Sequence, residues 1–386
     1  MRQTRYYAGE MKSQSIPPVA GAAGATRFCA AYRVLEDAIA ARAFPGCAFG
    51  VLAGSEVVIR DGIGRFTYEE DAPAVAAETV YDVASLTKVA ATTAMAMLLH
   101  QRGRMDLETP LGVLLPGFVA GREAGDPAHK VTLRHLLAHS SGLPGYVEFF
   151  KTAATPDSLL RACLELPLQA EPGARAEYSD PGFILSGKAL EAVSGETLDR
   201  WVQREIFQPL AMTATGFCPA GLDKRRLIPP TEEDTTFRHR RIQGEVQDEN
   251  AWVLGGVAGH AGLFSSVPDL LRLAREILPA ASKIGSGAAN AKLFDSATIE
   301  RFAERQPPEG TSRALGWDTP SENSSSGKHF SPHTIGHLGY SGCTLWIDLQ
   351  AELAVVLLTN RTWPDQKSQL IKTVRPAFHD AIREAL

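Results

Sequence analysis

Ser85 and Lys88 are the residues whose types and spacing most directly suggest covalent chemistry. They close the stretch Tyr81-Asp82-Val83-Ala84-Ser85-Leu86-Thr87-Lys88, which runs on as VAATTAMAMLLH, a helix apolar on nearly every side. Residues three apart on a helix share a face, so the Ser85 hydroxyl and the Lys88 amine can meet. A serine at the start of a helix also offers its own backbone N–H, one of the donors without an intrahelical partner, to a developing oxyanion. Lys88 is the only Lys or Arg between Ser85 and His100. Burial against that apolar helix is expected to lower its pKa from about 10.4, so that a neutral amine takes the serine proton. The competing assignment is a capping serine with a snorkelling lysine. A second copy of the same spacing, Ser325 and Lys328, lies in a polar Gly/Ser loop where nothing buries the amine, and is set aside.

Further segments follow in order: Arg134-His135-Leu136-Leu137-Ala138-His139-Ser140-Ser141-Gly142-Leu143-Pro144, then Glu171-Pro172-Gly173 leading to Tyr178-Ser179-Asp180-Pro181-Gly182-Phe183, then residues 256–266, GVAGHAGLFSS, and finally His337-Leu338-Gly339. Together with Ser85-x-x-Lys88 this series resembles the serine β-lactamase and penicillin-binding-protein superfamily, in its class C β-lactamase-related esterase branch, over roughly residues 30–386. The resemblance implies an acyl-enzyme on Ser85 and a second proton-transfer role for Tyr178, whose phenol can ionise near an ammonium. It implies an oxyanion hole made by the backbone N–H groups of Ser85 and Tyr340, and substrate contacts from Asp180, His337 and Gly339. No cofactor and no metal are implied.

Two departures from the superfamily pattern bear on substrate. Asp180 stands where Asn is usual, placing a carboxylate at the cleft or against Lys88. His337-Leu338 stands where Lys-Thr is usual, removing the ammonium and hydroxyl that grip a β-lactam or D-alanine carboxylate. The expected activity is therefore of the carboxylesterase type on small esters or amides. The alternatives are an amidase or D,D-peptidase acting on cell-wall fragments, a weak β-lactamase, and a catalytically silent binding protein.

Other patterns carry less. His135 and His139 are spaced like zinc-binding histidines, but Leu136 occupies the place of the catalytic Glu, so capping or core roles are expected. His329, His333 and His337 recur every four residues, yet Pro332 and Gly336 interrupt any helix that could align them. Residues 182–189 nearly match a phosphate-binding loop but end in Ala189, without the hydroxyl that holds magnesium. Arg238 to Arg241, with Arg225 and Arg226, could meet an acidic ligand at the cleft rim, but the neighbouring Glu232, Glu233 and Asp234 favour a solvated loop. His260 is left between a cleft position and a packing one.

The elements that must position these residues read as α+β. Strands are expected at 47–52 and 57–60 about Gly54-Ser55, and at 344–349 and 353–359 about residues 350–352. Helices are expected at 159–166, 183–193, 198–206, 269–278 and 369–386. The simplest architecture is an antiparallel sheet built from N- and C-terminal strands, flanked by terminal helices, with a mostly helical lobe inserted. That gives a loose tail over 1–27 and one domain over 28–386, its sheet lobe at about 28–84 and 310–386 and its helical lobe at about 85–309. Residues 215–250 read as a long, charged, Pro-containing connection, of a length that is usually functional or disordered.

The chain of 386 residues is 44% hydrophobic and 22% charged with a net charge of −5, which provides no positive field for nucleic acid or anionic lipid. No stretch approaches the roughly 20 apolar residues of a membrane span. Cys29, Cys47, Cys163, Cys218 and Cys343 are odd in number and scattered, which suits a reducing compartment. A cytoplasmic location is expected, or a periplasmic one if an export signal precedes this start. The expected partner is a small-molecule ester or amide, with the cell wall as one source.

Overall fold

The computed structural model describes residues 27–219, 226–278 and 293–386; the expected tail over residues 1–26, and Arg225, lie outside them. The chain enters through helix α1 (Cys29–Ala40) and the hairpin β1 (Gly46–Ala53) and β2 (Glu56–Gly64), then reaches the short strand β3 (Tyr81–Asp82). A 3₁₀ turn (Ala84–Leu86) and a π-helical turn (Lys88–Thr93) lead into α2 (Ala94–Gln101), followed by α3 (Leu133–Leu137) and α4 (Asp180–Ser194). Short strands β4 (Gly216–Phe217), β5 (Glu232–Asp234), β6 (Arg240–Ile242) and β7 (Leu263–Ser265) precede α5 (Val267–Ile277). The chain closes with β8 (Thr334–Leu338), β9 (Thr344–Asp348), β10 (Leu353–Thr359) and α6 (Ile371–Glu384).

The main sheet is antiparallel in the order β2-β1-β10-β9-β8, so the two ends of the sequence meet at its centre, with Cys47 opposite Thr359 and Ala53 opposite Leu353. Alternation along these strands fills both faces. Phe49, Val51, Val355 and Leu357 pack with Leu35 of α1 and Phe378 of α6, while Ala48, Leu52, Val356 and Leu358 join the larger apolar cluster that includes α5 and α2. Because neither face meets water, β10 reads LAVVLLT, a continuous apolar run more typical of a parallel strand. Among the described residues no helix is long and apolar enough to cross a membrane.

Two expectations are corrected. The connection 215–250 is not a bare loop in its described parts, because β4 joins β3 and β7 in a three-stranded sheet and β5 pairs with β6. Strands of two or three residues are too short to leave a periodicity. Nor is Arg238 solvated: its side chain is 2% exposed, pairs with Asp234 at 3.1 Å, and donates to the carbonyls of Val246 and Gln247 at 2.7 and 2.6 Å. Arg240 and Arg241 do face solvent, paired with Glu245 and Glu233.

Candidate active site

The Ser85 turn is built on a strained residue. Ala84 has φ of +47°, a left-handed conformation that costs a residue with a Cβ about 1–3 kcal/mol. It is clamped from both sides: Asp82 Oδ1 accepts its N–H at 2.8 Å, and Thr87 Oγ1 donates to its carbonyl at 2.6 Å. Thr87 Oγ1 in turn accepts the N–H of Leu263 in β7 at 3.1 Å. Ser85 lies in the 3₁₀ turn and Lys88 opens the π-helical turn that follows it, and this succession of turns brings the amine within 3.1 Å of the Ser85 hydroxyl. From Lys88 to Leu99 every residue is buried, so the amine has no route to water along its own element.

Lys88 Nζ reaches three acceptors for its three protons: Ser85 Oγ at 3.1 Å, Asp180 Oδ1 at 2.7 Å and the carbonyl of His260 at 3.0 Å. Ser85 Oγ lies 2.8 Å from the Tyr178 hydroxyl. Tyr178 and Asp180 are delivered by the start of α4. Ser179 caps that helix by accepting the N–H of Gly182 at 3.0 Å, and Gly195 ends it at φ of +76°. Residues 139–145 hold the same segment. Ser179 donates to the carbonyl of Pro144 at 2.7 Å, its N–H donates to His139 Nδ1 at 3.0 Å, and the N–H of Asp180 donates to the carbonyl of Gly145 at 2.9 Å. The His139 ring packs 4.7 Å from that of Tyr178 and 4.9 Å from that of Phe183. His135 instead caps α3 through Thr132, so the two histidines serve different segments.

The protonation pattern corrects the expected neutral amine. Burial works to lower the Lys88 pKa, but the facing Asp180 carboxylate and the Tyr178 oxygen outweigh it, and the net shift is upward. Tyr178 is likewise not poised to ionise: burial and the Asp180 charge push its phenol up to about 12 against the pull of Lys88. The resting site is an ammonium, a carboxylate, a neutral phenol and a hydroxyl in one hydrogen-bonded chain. Lys88 is buried as its apolar surroundings suggest, and the facing Asp180 carboxylate decides its charge.

The remaining wall is the turn between β8 and β9. Gly339 lies against the backbone of Val83, where an added Cβ would sit 2.5 Å from the Val83 carbonyl oxygen. Only glycine permits that approach, and it brings the Tyr340 backbone beside the Ser85 turn. Ser341 Oγ donates to the Asp82 carbonyl at 2.8 Å and stitches the two segments together. The Tyr340 side chain is half-exposed and bonds Gln366 at 2.7 Å. His337 is 3% exposed; its Nδ1 bonds the Leu338 carbonyl at 2.8 Å, its Nε2 has no partner, and burial first, with the charge of Lys88, lowers its pKa to about 3. Its ring lies 6.1 Å from that of Tyr178.

His260 resolves both ways. Its carbonyl accepts from Lys88, and its buried ring bonds Asp248 Oδ1 at 3.0 Å. Two contributors escaped sequence reasoning. Arg313 places its guanidinium carbon 5.5 Å from the Tyr178 ring centre, and Asp82 locks the Ala84 conformation. Arg313 lies in no motif that spacing could reveal, and Asp82, though within the Ser85 stretch, shows its role only through the Ala84 backbone.

Such a chain can deliver a serine oxygen to a carbonyl and return a proton to the group that leaves. Comparison with known proteins points the same way. The first curated relative, from Salmonella typhi and provisionally named a D-alanyl-D-alanine carboxypeptidase, is 31% identical over 312 residues, covering 73% of this chain and 69% of its own. The fold matches that of EstCE1, a hydrolase with promiscuous acyltransferase activity, with a TM-score of 0.73 at 20% identity over 94% of this chain and all of the other. It also matches an octameric penicillin-binding protein homologue from Pyrococcus abyssi, with a TM-score of 0.69 at 21% identity over 91% of this chain and 76% of that one. The beta-lactamase family model matches residues 32–375; the chain belongs to that family and is a serine hydrolase.

Proposed function

We propose that Ser85 is the nucleophile of a carboxylesterase-type reaction on small esters or amides, with Lys88 and Tyr178 moving the protons. The observation that carries this is the position of Ser85 Oγ, 2.8 Å from the Tyr178 hydroxyl and 3.1 Å from Lys88 Nζ at once. With the amine cationic and the phenol neutral at rest, the phenol serves as a relay. The Ser85 proton passes to the Tyr178 oxygen as that oxygen gives its own proton to the departing alkoxide or amine. The bond from Ser85 Oγ to the carbonyl carbon forms and the bond to the leaving group breaks. Lys88 stabilises negative charge on both oxygens throughout. Water then repeats the relay in reverse to release the acid. The N–H groups of Ser85 and Tyr340 receive the oxyanion, and Asp180, His337 and Gly339 border the substrate.

Esters are favoured over β-lactams because His337 is buried and neutral and Leu338 has no hydroxyl, so this strand offers no cation to a lactam carboxylate. Two observations support a second reading, a D,D-peptidase acting on cell-wall fragments. The Arg313 guanidinium beside Tyr178 could receive a terminal carboxylate, and the Salmonella typhi relative bears the corresponding provisional name. Steady-state rates on p-nitrophenyl acetate, nitrocefin and a peptide ending in D-alanyl-D-alanine separate the readings. The ester is expected to be turned over fastest; nitrocefin as the best substrate overturns the assignment of His337 and Leu338.

A further inference from the structure

Behind the turn that carries Tyr340 sits a buried guanidinium. Arg375, on α6, is 7% exposed and has no carboxylate partner among the described residues. Its Nη2 donates to the carbonyls of Gly339 at 2.6 Å and Cys343 at 3.1 Å, and its Nε to that of Gly342 at 3.3 Å. Taking a cation out of water is costly unless something offsets it, and here three carbonyl dipoles replace a counter-ion. Burial lowers its pKa to about 10, which leaves it charged at neutral pH.

The first of those carbonyls matters chemically. The C=O of Gly339 and the N–H of Tyr340 are two ends of one planar peptide unit and point in opposite directions. The oxygen also accepts the Gly342 N–H at 3.0 Å, and the cation, which binds it more closely at 2.6 Å, helps to fix the aim of the N–H. It also draws electron density toward the oxygen, and coupled hydrogen bonds of this kind strengthen one another. No acceptor among the described residues takes the Tyr340 N–H. Its neighbour Arg361 supplies the contrast. Arg361 is 6% exposed and grips the Tyr340 carbonyl at 2.7 Å, which belongs to the next peptide, whose N–H is that of Ser341. Arg361 holds the turn without touching the peptide that faces the site.

We infer that Arg375 is a positioning residue for the oxyanion hole: through the Gly339–Tyr340 peptide it aims and polarises the Tyr340 N–H toward the substrate carbonyl. The inference rests on the reading of Ser85 and Tyr340 given above. Removing a whole oxyanion donor costs about 10²–10³ in rate, so weakening one is expected to cost about tenfold.

The test is isotope-edited infrared spectroscopy of the acyl-enzyme formed from ¹³C=O-labelled p-nitrophenyl trimethylacetate, whose crowded acyl group slows deacylation. Hydrogen bonding lowers the ester carbonyl frequency. Arg375→Gln is expected to raise that frequency and slow acylation about tenfold, whereas Arg361→Gln leaves the frequency at the wild-type value. Wild-type frequency and rate in Arg375→Gln overturn the inference, as do equal shifts in both variants, which would mean general loosening of the turn. If Arg375→Gln does not fold, Arg375→Lys is read in its place. A single ammonium cannot span the same carbonyls, so a raised frequency is expected and a wild-type frequency is contrary. Failure of the wild-type protein to form an ester at Ser85 is a separate result, which removes the proposed function itself.

Discussion

The chain contains the same four-residue pattern twice, and the two copies have nothing else in common. Ser85 and Lys88 begin a buried helix, with the amine wholly enclosed and bonded to Ser85, Asp180 and His260. Ser325 and Lys328 lie in a loop where Lys328 is exposed, the Ser325 carbonyl accepts from His379 at 2.8 Å, and the backbone N–H of Lys328 bonds Asp380 at 2.6 Å. A hydroxyl and an amine at matching spacing are therefore not a site. The difference lies in a strained residue that aims the serine, an apolar helix that excludes water, and a carboxylate that fixes the charge of the amine.

The largest effect that can break this contrast is removal of the nucleophile. Ser85→Ala is expected to lower kcat on p-nitrophenyl acetate by about 10⁶, while Ser325→Ala leaves it unchanged; a surviving rate in the first variant ends the comparison. Lys88→Ala is expected to fall nearly as far, because groups acting as one unit are lost together. Lys328→Ala should change unfolding free energy in urea by no more than about 0.5 kcal/mol, the usual range for an exposed side chain.

A finer probe is Asp180→Asn, which restores the residue usual in the superfamily. Lys88 loses its carboxylate but keeps its burial, so its pKa falls. Because the relay uses the ammonium, the alkaline limb of the kcat/KM profile should move to lower pH in the variant. The wild-type protein should hold its activity from neutrality well into the alkaline range, since Lys88 is shifted upward and Tyr178 lies near 12. A gain of activity in Asp180→Asn at high pH would instead favour a neutral amine as base.

The last effect concerns stability. Burial keeps His139, His337 and His379 neutral, with His337 at about 3 and His379 at about 4. The unfolded chain binds their protons near pH 6.5 and the folded one does not, so stability should fall as pH drops from about 6.5 toward 4. Asp82 and Glu249, raised by burial to about 6 and about 7, oppose this trend over part of the window. Urea midpoints at pH 7, 5.5 and 4 measure the balance, and a midpoint that rises on acidification contradicts it.

Much of the fold could be read in advance because its central pieces have strong local signatures. The β9–β10 hairpin surrounds a tight turn, and β10 begins and ends at the residues its apolar run suggests. Ser85, Lys88 and Tyr178 also came forward, since each sits in a segment with recognisable order. What stayed hidden depends on contacts far apart in sequence. The clamp of Asp82 on Ala84 looks ordinary until φ is known, and Arg238 looks solvated until the carbonyls of Val246 and Gln247 close over it. The sequence shows that the Asp180 carboxylate, 92 residues away, can stand against Lys88, but not that it comes within 2.7 Å and outweighs burial.

The most direct measurement is peptide-level mass spectrometry of the folded protein after reaction with a fluorophosphonate. One adduct is expected, on the tryptic peptide containing Ser85, abolished in Lys88→Ala and untouched in Lys328→Ala. An unmodified Ser85 peptide, or an adduct on Ser325, would contradict it.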